Sequence, residues 1–119
     1  MQYLLLCCSN EKSWADLPAP ERDKVMAEYA EWTQAIVRSG HYRASGKLQP
    51  TSTATTVRET GGKRVATDGP FAETREQLGG YHLIECRDLD EAIAIAGRIP
   101  TLRHGGAVEV RPLEPTPHR

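Results

Sequence analysis

Residues 68–81 read Asp-Gly-Pro-Phe-Ala-Glu-Thr-Arg-Glu-Gln-Leu-Gly-Gly-Tyr, a stiff turn followed by the approach to an apolar strand. Gly69 can adopt a positive φ angle, and Pro70 fixes its own φ angle while keeping Gly69 away from the helical region. The turn therefore aims the Asp68 carboxylate in one direction, and a second carboxylate, Glu73, follows five residues later. Two interpretations are open: a structural turn whose aspartate accepts backbone N–H bonds, or a functional pair of carboxylates.

The stretch Asp-Gly-Pro-Phe-Ala-Glu-Thr, with Glu-Gln-Leu-Gly-Gly-Tyr after it, resembles the defining motif of the DGPF proteins, a branch of the YCII-related (YciI-like) family. The resemblance continues in order along the chain, in Met1-Gln-Tyr-Leu-Leu-Leu, Glu11 to Trp14, Leu48-Gln-Pro, Ala54 to Arg58, Asp88 to Ala92 and Val108 to Pro112. It covers residues 1–113, which we expect to form one YCII-related domain. Residues 114–119 contain two prolines and no apolar anchor, so we expect a frayed C-terminal tail.

Hydrophobic periodicity predicts the secondary structure along the chain. The predicted strands are 2–8, 51–58, 63–67, 80–86 and 106–112, and the predicted helices run from Pro20 to Gly40 and from Asp88 to Pro100. Residues 9–19 are expected to be a polar, proline-containing connection without regular structure, residues 41–51 to be extended and irregular, and residues 73–78 to hold a short helical turn. The order of elements favours an α+β, ferredoxin-like fold, with an antiparallel sheet, two helices on one face and an added β-hairpin.

The first predicted strand is apolar on both faces, so the sheet face away from the helices needs a cover. A second subunit would supply that cover, and we expect a homodimer. The resemblance implies the same arrangement, because YCII proteins are known as α+β dimers, of the dimeric α/β-barrel type, that pack sheet against sheet.

The composition limits the classes of partner and cofactor. The chain has 119 residues, a formal net charge of −1 and a sequence pI of about 6.4, so it offers no basic surface for direct nucleic-acid binding. No stretch is long and apolar enough for a membrane span or a signal peptide, and three cysteines without metal-ligand spacing fit free thiols in the cytoplasm. No zinc-type cluster or glycine-rich phosphate loop is present, so we expect neither a metal nor a cofactor.

The candidate catalytic residues are Asp68, Glu73 and His82. If both carboxylates face one cleft, their repulsion and burial would raise one pKa and leave a proton acceptor near neutral pH. His82 is a candidate proton shuttle because an unperturbed imidazole titrates at about pH 6.5. The alternative for His82 is a histidine that is satisfied within the strand or at an interface.

The candidate ligand-binding residues are Trp14, Tyr29, Trp32, Phe71 and His104. An aromatic pocket between helix and sheet would suit a planar or phenolic ligand, and plain core packing is the alternative. The resemblance adds that the smaller YciI-type members are associated with a His–Asp pair whose histidine lies on the first helix. The predicted first helix has no histidine here, and Tyr29 falls near that position.

Two functions are open. The first is a small-molecule-binding or sigma-factor-associated accessory module, which the resemblance implies because DGPF proteins are associated with extracytoplasmic-function sigma factors in bacteria. The second is a cofactor-free enzyme that transfers a proton to or from a planar, hydroxylated substrate, with Asp68 as the base and Glu73 or His82 assisting. The resemblance implies that the scaffold can host such chemistry, because one YCII branch is associated with dehydrochlorination of chlorinated hydroxyquinols.

Overall fold

The computed structural model describes residues 1–115, so residues 116–119, most of the predicted tail, lie outside the described part. Within it the chain forms β1 (Gln2–Ser9), α1 (Glu11–Asp16), α2 (Ala19–Arg38), β2 (Tyr42–Lys47), β3 (Thr55–Thr60), β4 (Lys63–Asp68), β5 (Gln77–Glu85), α3 (Leu89–Ala96) and β6 (Ala107–Pro112). Short 3₁₀ helices lie at Thr51–Thr53 and Pro100–His104.

The strand topology confirms the predicted ferredoxin-like fold. A four-stranded sheet has the order β2-β5-β1-β6, and each pair in it is antiparallel. Helix α2 follows β1 and helix α3 follows β5, which gives the split βαβ arrangement of that fold. Strands β3 and β4 form a separate hairpin inserted between β2 and β5.

The core lies between one face of the sheet and helices α2 and α3. Leu5 and Ile84 on the two central strands are 0% exposed, and they belong to one buried cluster with Trp32 and Ile36 of α2. The Trp32 indole N–H donates to the carbonyl oxygen of Ile95 at 3.0 Å, which joins α2 to α3 across the core. None of the helices within residues 1–115 combines the length and apolarity that a membrane span requires.

Two predictions of irregular structure were wrong. Residues 42–47 form the edge strand β2, although Tyr-Arg-Ala-Ser-Gly-Lys has little strand preference, because pairing with β5 extends them. Residues 11–16 form helix α1, which begins after Asn10. The Asn10 side-chain oxygen accepts a hydrogen bond from the Ser13 N–H at 3.1 Å and so caps the helix.

Two predicted element positions were also wrong. No helical turn forms at 73–78, because β5 begins at Gln77 and pairs there with the end of β1. The hairpin starts at Thr55 rather than Thr51, because Thr51–Thr53 is a 3₁₀ helix that follows Pro50. Proline at this point sets a backbone angle that suits the start of a helical turn.

Two surfaces of the described chain are left uncovered by the rest of it. On the sheet face away from the helices, Leu4 lies opposite Leu83 and Leu6 lies opposite Tyr81, whose side chain is 36% exposed. In the hairpin, every residue of β4 and all but one of β3 are exposed. A two-stranded hairpin is only marginally stable in water by itself, so this element needs a further contact.

Candidate functional site

A cavity of about 400 Å³ lies between the helix-facing side of the sheet and helices α1 and α2. Strands β1, β2 and β5 contribute to its floor, and the 3₁₀ segment Pro100–His104 contributes Thr101 and His104 at its edge. Its lining is mostly apolar, with a small number of polar groups. This combination is typical of sites for small organic ligands.

Helix α1 is held over the cavity by polar contacts of its first residue. The Glu11 N–H donates to the side-chain oxygen of Gln77 at 3.0 Å, and the Glu11 carboxylate accepts from the N–H and the hydroxyl of Thr51 at 2.9 and 3.0 Å. These bonds join α1 to the start of β5 and to the segment after β2. They place Trp14 and Leu17, both partly buried, against the cavity.

A register shift between β1 and β5 shapes the cavity floor. Cys7 pairs with Gly80 and Cys8 pairs with Leu78, so Gly79 has no partner in β1. Bulges of this kind redirect side chains, and both cysteines and both glycines line the cavity. At Gly80 a Cβ atom would lie 3.0 Å from a backbone oxygen of β2, so any other residue there would need this backbone to shift by a few tenths of an ångström.

The cavity wall carries a hydrogen-bonded tyrosine–histidine pair. The Tyr29 hydroxyl is bonded to Nε2 of His82 and lies 3.5 Å from the thiol sulfur of Cys7. The His82 ring is 6% exposed and packs edge-on against Trp32, with ring centroids 4.8 Å apart. Within the described residues its second nitrogen, Nδ1, is buried without a hydrogen-bond partner. A buried polar atom in this condition is uncommon and marks a candidate functional group.

Burial keeps these three groups uncharged at neutral pH. Desolvation lowers the pKa of His82 to about 4, and it raises the pKa of Tyr29 far above its usual range. Desolvation also raises the pKa of the Cys7 thiol, against an opposing effect of its hydrogen bond with Tyr29. A ligand therefore meets a neutral imidazole and a neutral phenol, each of which can both donate and accept a hydrogen bond.

The buried His82 predicts a specific dependence of stability on pH. The unfolded chain takes up a proton on this imidazole at about pH 6.5, whereas the folded protein does so only near pH 4. The free energy of unfolding should therefore rise with pH between these values and level off above pH 7. The slope is at most about 1.4 kcal/mol per pH unit.

Thermal melts from pH 5 to pH 7 check this dependence in the native protein and in His82→Gln. The variant should lose most of the slope, while His104→Gln, a histidine on the exposed rim, should keep it. Equal slopes in the native protein and His82→Gln would contradict the assignment of a buried, neutral imidazole.

The structure brings four of the predicted site residues to this cavity: Trp14, Tyr29, His82 and His104. Trp32 lies behind them and contacts the rings of Tyr29 and His82. The remaining three lie outside the lining: Asp68, Phe71 and Glu73. Within residues 1–115 no three His, Cys, Asp or Glu side chains are grouped so as to hold a metal ion.

The Asp-Gly-Pro-Phe turn begins at Asp68, the last residue of β4; Asp68 and Phe71 are exposed, and Gly69 and Pro70 are partly buried. Gly69 adopts a φ angle of +103°, and its N–H and carbonyl form hydrogen bonds of 2.8 and 2.7 Å to residues at the start of the hairpin. Phe71 is 77% exposed and lies under the Arg58 guanidinium, 5.5 Å from the ring centroid. Asp68 and Glu73 are exposed and neither lines the cavity, and their catalytic role stays a prediction.

Sequence reasoning missed Cys7 and Lys47 as cavity residues. The members of the polar cluster are far apart in sequence: Tyr29 comes 22 residues after Cys7, and His82 comes 53 residues after Tyr29. No local spacing therefore signals the cluster. The one available signal was Gly79-Gly80, because consecutive glycines at a strand indicate a bulge or a close approach of another backbone.

The family model described as the YCII-related domain matches residues 1–116, almost the whole chain. The chain belongs to the YCII-related domain family. The family that the sequence motif indicated is thus confirmed, while membership of its DGPF branch stays a prediction. An uncharacterized protein of Rhizobium meliloti (strain 1021) is 37% identical to this YCII-related chain over 114 residues, which cover 95% of this chain and 92% of the relative.

A solved structure resembles the YCII-related chain along its whole length. It is the 5-chloro-2-hydroxyhydroquinone dehydrochlorinase of Burkholderia phenoliruptrix AC1100 in complex with 2,5-dihydroxybenzoquinone. The match has a TM-score of 0.61 and 12% identity, and it covers 99% of this chain and 98% of that chain. At this identity the similarity shows a shared fold alone.

Proposed function

We propose that this YCII-related protein binds a planar, hydroxylated small molecule in the cavity between α1, α2 and the sheet. The observation that carries the proposal is the hydrogen-bonded pair of partly buried Tyr29 and buried His82 in a largely apolar wall. Ligand sites combine an apolar lining with a few fixed polar groups, and the volume of about 400 Å³ lies within their usual range.

The lining fits a flat ring that carries oxygen substituents. Trp14 and Leu17 offer apolar surface from α1, while Tyr29 and His82 offer hydrogen bonds from the opposite elements α2 and β5. The compound bound by the dehydrochlorinase, 2,5-dihydroxybenzoquinone, belongs to this chemical class. That compound supports the choice of probe for a first test.

The test is a thermal-shift and calorimetric screen with 2,5-dihydroxybenzoquinone, phenols and chlorinated hydroxylated aromatics. A ligand present at about a hundred times its dissociation constant stabilises the folded protein by about 2.7 kcal/mol, which shifts the melting temperature by several degrees. We expect saturable binding of at least one compound of this class. A panel without any saturable binding would contradict the proposal.

A variant that fills the cavity tests whether the ligand binds there. Thr33 lines the cavity one helical turn after Tyr29 and is partly buried, so Thr33→Phe puts a ring into the ligand space. Gln34→Phe adds the same ring at the next, exposed position and serves as the control. Binding should be lost in the first variant and kept in the second; binding that both variants retain would place the ligand elsewhere.

A second candidate function is proton transfer on the bound ligand, favoured by the neutral Tyr29–His82 pair. The Tyr29 oxygen can accept a proton from a ligand hydroxyl while its own proton passes to the imidazole. Burial lowers the pKa of His82, so this step requires the negative charge left on the ligand oxygen to stabilise the imidazolium that forms. In this form of the enzyme hypothesis the pair takes the place of Asp68 as the base. Asp68→Asn should then leave turnover unchanged, and a rate that falls with this variant would favour the carboxylate.

We also propose that the protein is a homodimer joined through the sheet face away from the helices. Its support is the row of Leu4, Leu6, Leu83 and Tyr81, which the described chain leaves uncovered. Light scattering should give about 26 kDa, twice the 13.2 kDa of one chain.

Leu6→Lys tests which face forms the dimer, because it places a charge in the middle of that row. We expect this variant to be a monomer. Val37→Lys, at a position of α2 that is 47% exposed, should remain a dimer. A native mass of about 13 kDa, or a Leu6→Lys protein that stays dimeric, would contradict this interface.

The sigma-factor association and the cytoplasmic location that the sequence suggested stay proposals. Three free cysteines support a reducing compartment. Copurification of tagged protein with a sigma factor from its native host is the direct check of the association.

A further inference from the structure

Among the described residues that line the cavity, Lys47 is the one lysine or arginine, and no aspartate or glutamate takes part. The two histidines of the lining are His82, which burial keeps neutral, and His104. The chain as a whole is different, since it contains 16 acidic residues and 15 lysines and arginines. One ammonium group together with neutral donors, in a concave site whose lining has no carboxylate, favours an anionic ligand.

Lys47 is placed so that its side chain can reach the ligand space. It ends β2 and pairs with Gly80 of β5, while Ser45, two residues earlier, pairs with His82. Side chains two residues apart on a strand share a face, so Lys47 lies on the same side of the sheet as His82. Gly80, the residue paired with Lys47, has no side chain. No side chain at this position therefore stands between the Lys47 ammonium group and the cavity.

The Lys47 side chain is also free to take an external partner. It is exposed at the edge of the sheet, and within residues 1–115 its ammonium group forms no ion pair. An ammonium group gains a charge-assisted hydrogen bond when it meets a carboxylate or a phenolate, and such bonds are stronger than those between neutral groups.

We propose that the ligand is an organic anion and that Lys47 binds its carboxylate or phenolate group. This inference rests on the proposed function, the binding of a planar, hydroxylated molecule, and specifies in addition that the molecule is negatively charged. The ligand is held at two points: its ring hydroxyl meets the Tyr29–His82 pair, and its anionic group points across Gly80 towards Lys47. The site thereby selects hydroxylated aromatic acids over neutral rings of the same shape.

The test uses two probes of nearly the same shape, 2,5-dihydroxybenzoate and its neutral amide, 2,5-dihydroxybenzamide, in which an NH₂ group replaces one carboxylate oxygen and removes the charge. Calorimetric titrations compare the native protein, Lys47→Gln and Lys63→Gln, in which an exposed lysine of the hairpin outside the cavity is changed. The native protein and Lys63→Gln should bind the acid roughly tenfold more tightly than the amide. Lys47→Gln should lose this preference while its affinity for the amide stays unchanged.

Equal affinity of the native protein for acid and amide would overturn the inference, as would a preference that survives in Lys47→Gln. Binding of the amide without a charge preference leaves the proposed function standing and overturns the anion inference alone. Binding of neither probe overturns the inference as well. The titration with 2,5-dihydroxybenzoquinone then decides the proposed function separately.

Discussion

Tyr29→Phe is expected to weaken ligand binding by roughly tenfold or more, because it removes a hydroxyl that faces the cavity. The same hydroxyl is the partner of His82 Nε2. Since Nδ1 already lacks a partner, the variant leaves both imidazole nitrogens unpaired in a buried position. The free energy of unfolding should therefore also fall by about 1–3 kcal/mol.

Both effects of Tyr29→Phe are measured with a binding titration and denaturant unfolding. Tyr42→Phe is the matched control, because Tyr42 lies outside the cavity lining and outside the proposed dimer face, and its hydroxyl makes an exposed hydrogen bond with Ser45. The control should change neither quantity by more than about 0.5 kcal/mol. If Tyr29→Phe binds ligand as tightly as the native protein, the tyrosine–histidine pair is a structural feature and not part of the binding site.

Leu5→Ala is expected to destabilise the protein by about 2–5 kcal/mol, the range for emptying a fully buried leucine site. Leu5 is 0% exposed in central strand β1, where it lies between His82 on one neighbouring strand and Val110 on the other. In a domain of this size the loss corresponds to a fall in melting temperature of roughly 10 °C. Scanning calorimetry measures it.

Leu48→Ala is the control for Leu5→Ala, because Leu48 is 43% exposed and follows the end of β2. This change should cost less than about 0.5 kcal/mol. A Leu5→Ala protein as stable as the control would show that the helix-facing side of the sheet is not the main core.

Central strands β1 and β5 and helices α2 and α3 could be predicted from the sequence. Their buried faces require apolar residues at regular spacings, and these spacings are visible in the sequence. The apolar stripe of α2 puts Val25, Trp32 and Ile36 on one face, and Asp88 accepts a hydrogen bond from the Glu91 N–H at 2.9 Å, as expected of a helix cap. Edge strand β2 could not be predicted in this way. Its half-exposed, polar residues form a strand because they pair with β5. The two strands are far apart in sequence, so no local pattern indicates this pairing.

The lining of the cavity was predicted only in part, because the motif of residues 68–81 contributes to two separate parts of the structure. Its second half, with Gln77, Gly79 and Gly80, fixes α1 and shapes the cavity floor. Its first half forms the turn at the end of the hairpin, in which Asp68 and Phe71 are exposed. A contiguous motif does not reveal this division, because the bulge in β5 and the register of the sheet decide which residues face the cavity.

The most direct test of a ligand site at Tyr29 and His82 is imidazole ¹⁵N NMR of the protein during titration with 2,5-dihydroxybenzoquinone. The His82→Gln spectrum assigns the His82 signals among the four histidines of the chain. The account predicts that the His82 signals shift and saturate with the ligand, while those of His41, which lies outside the cavity beside Glu91, stay in place. Saturable binding that leaves the His82 signals unchanged would contradict it.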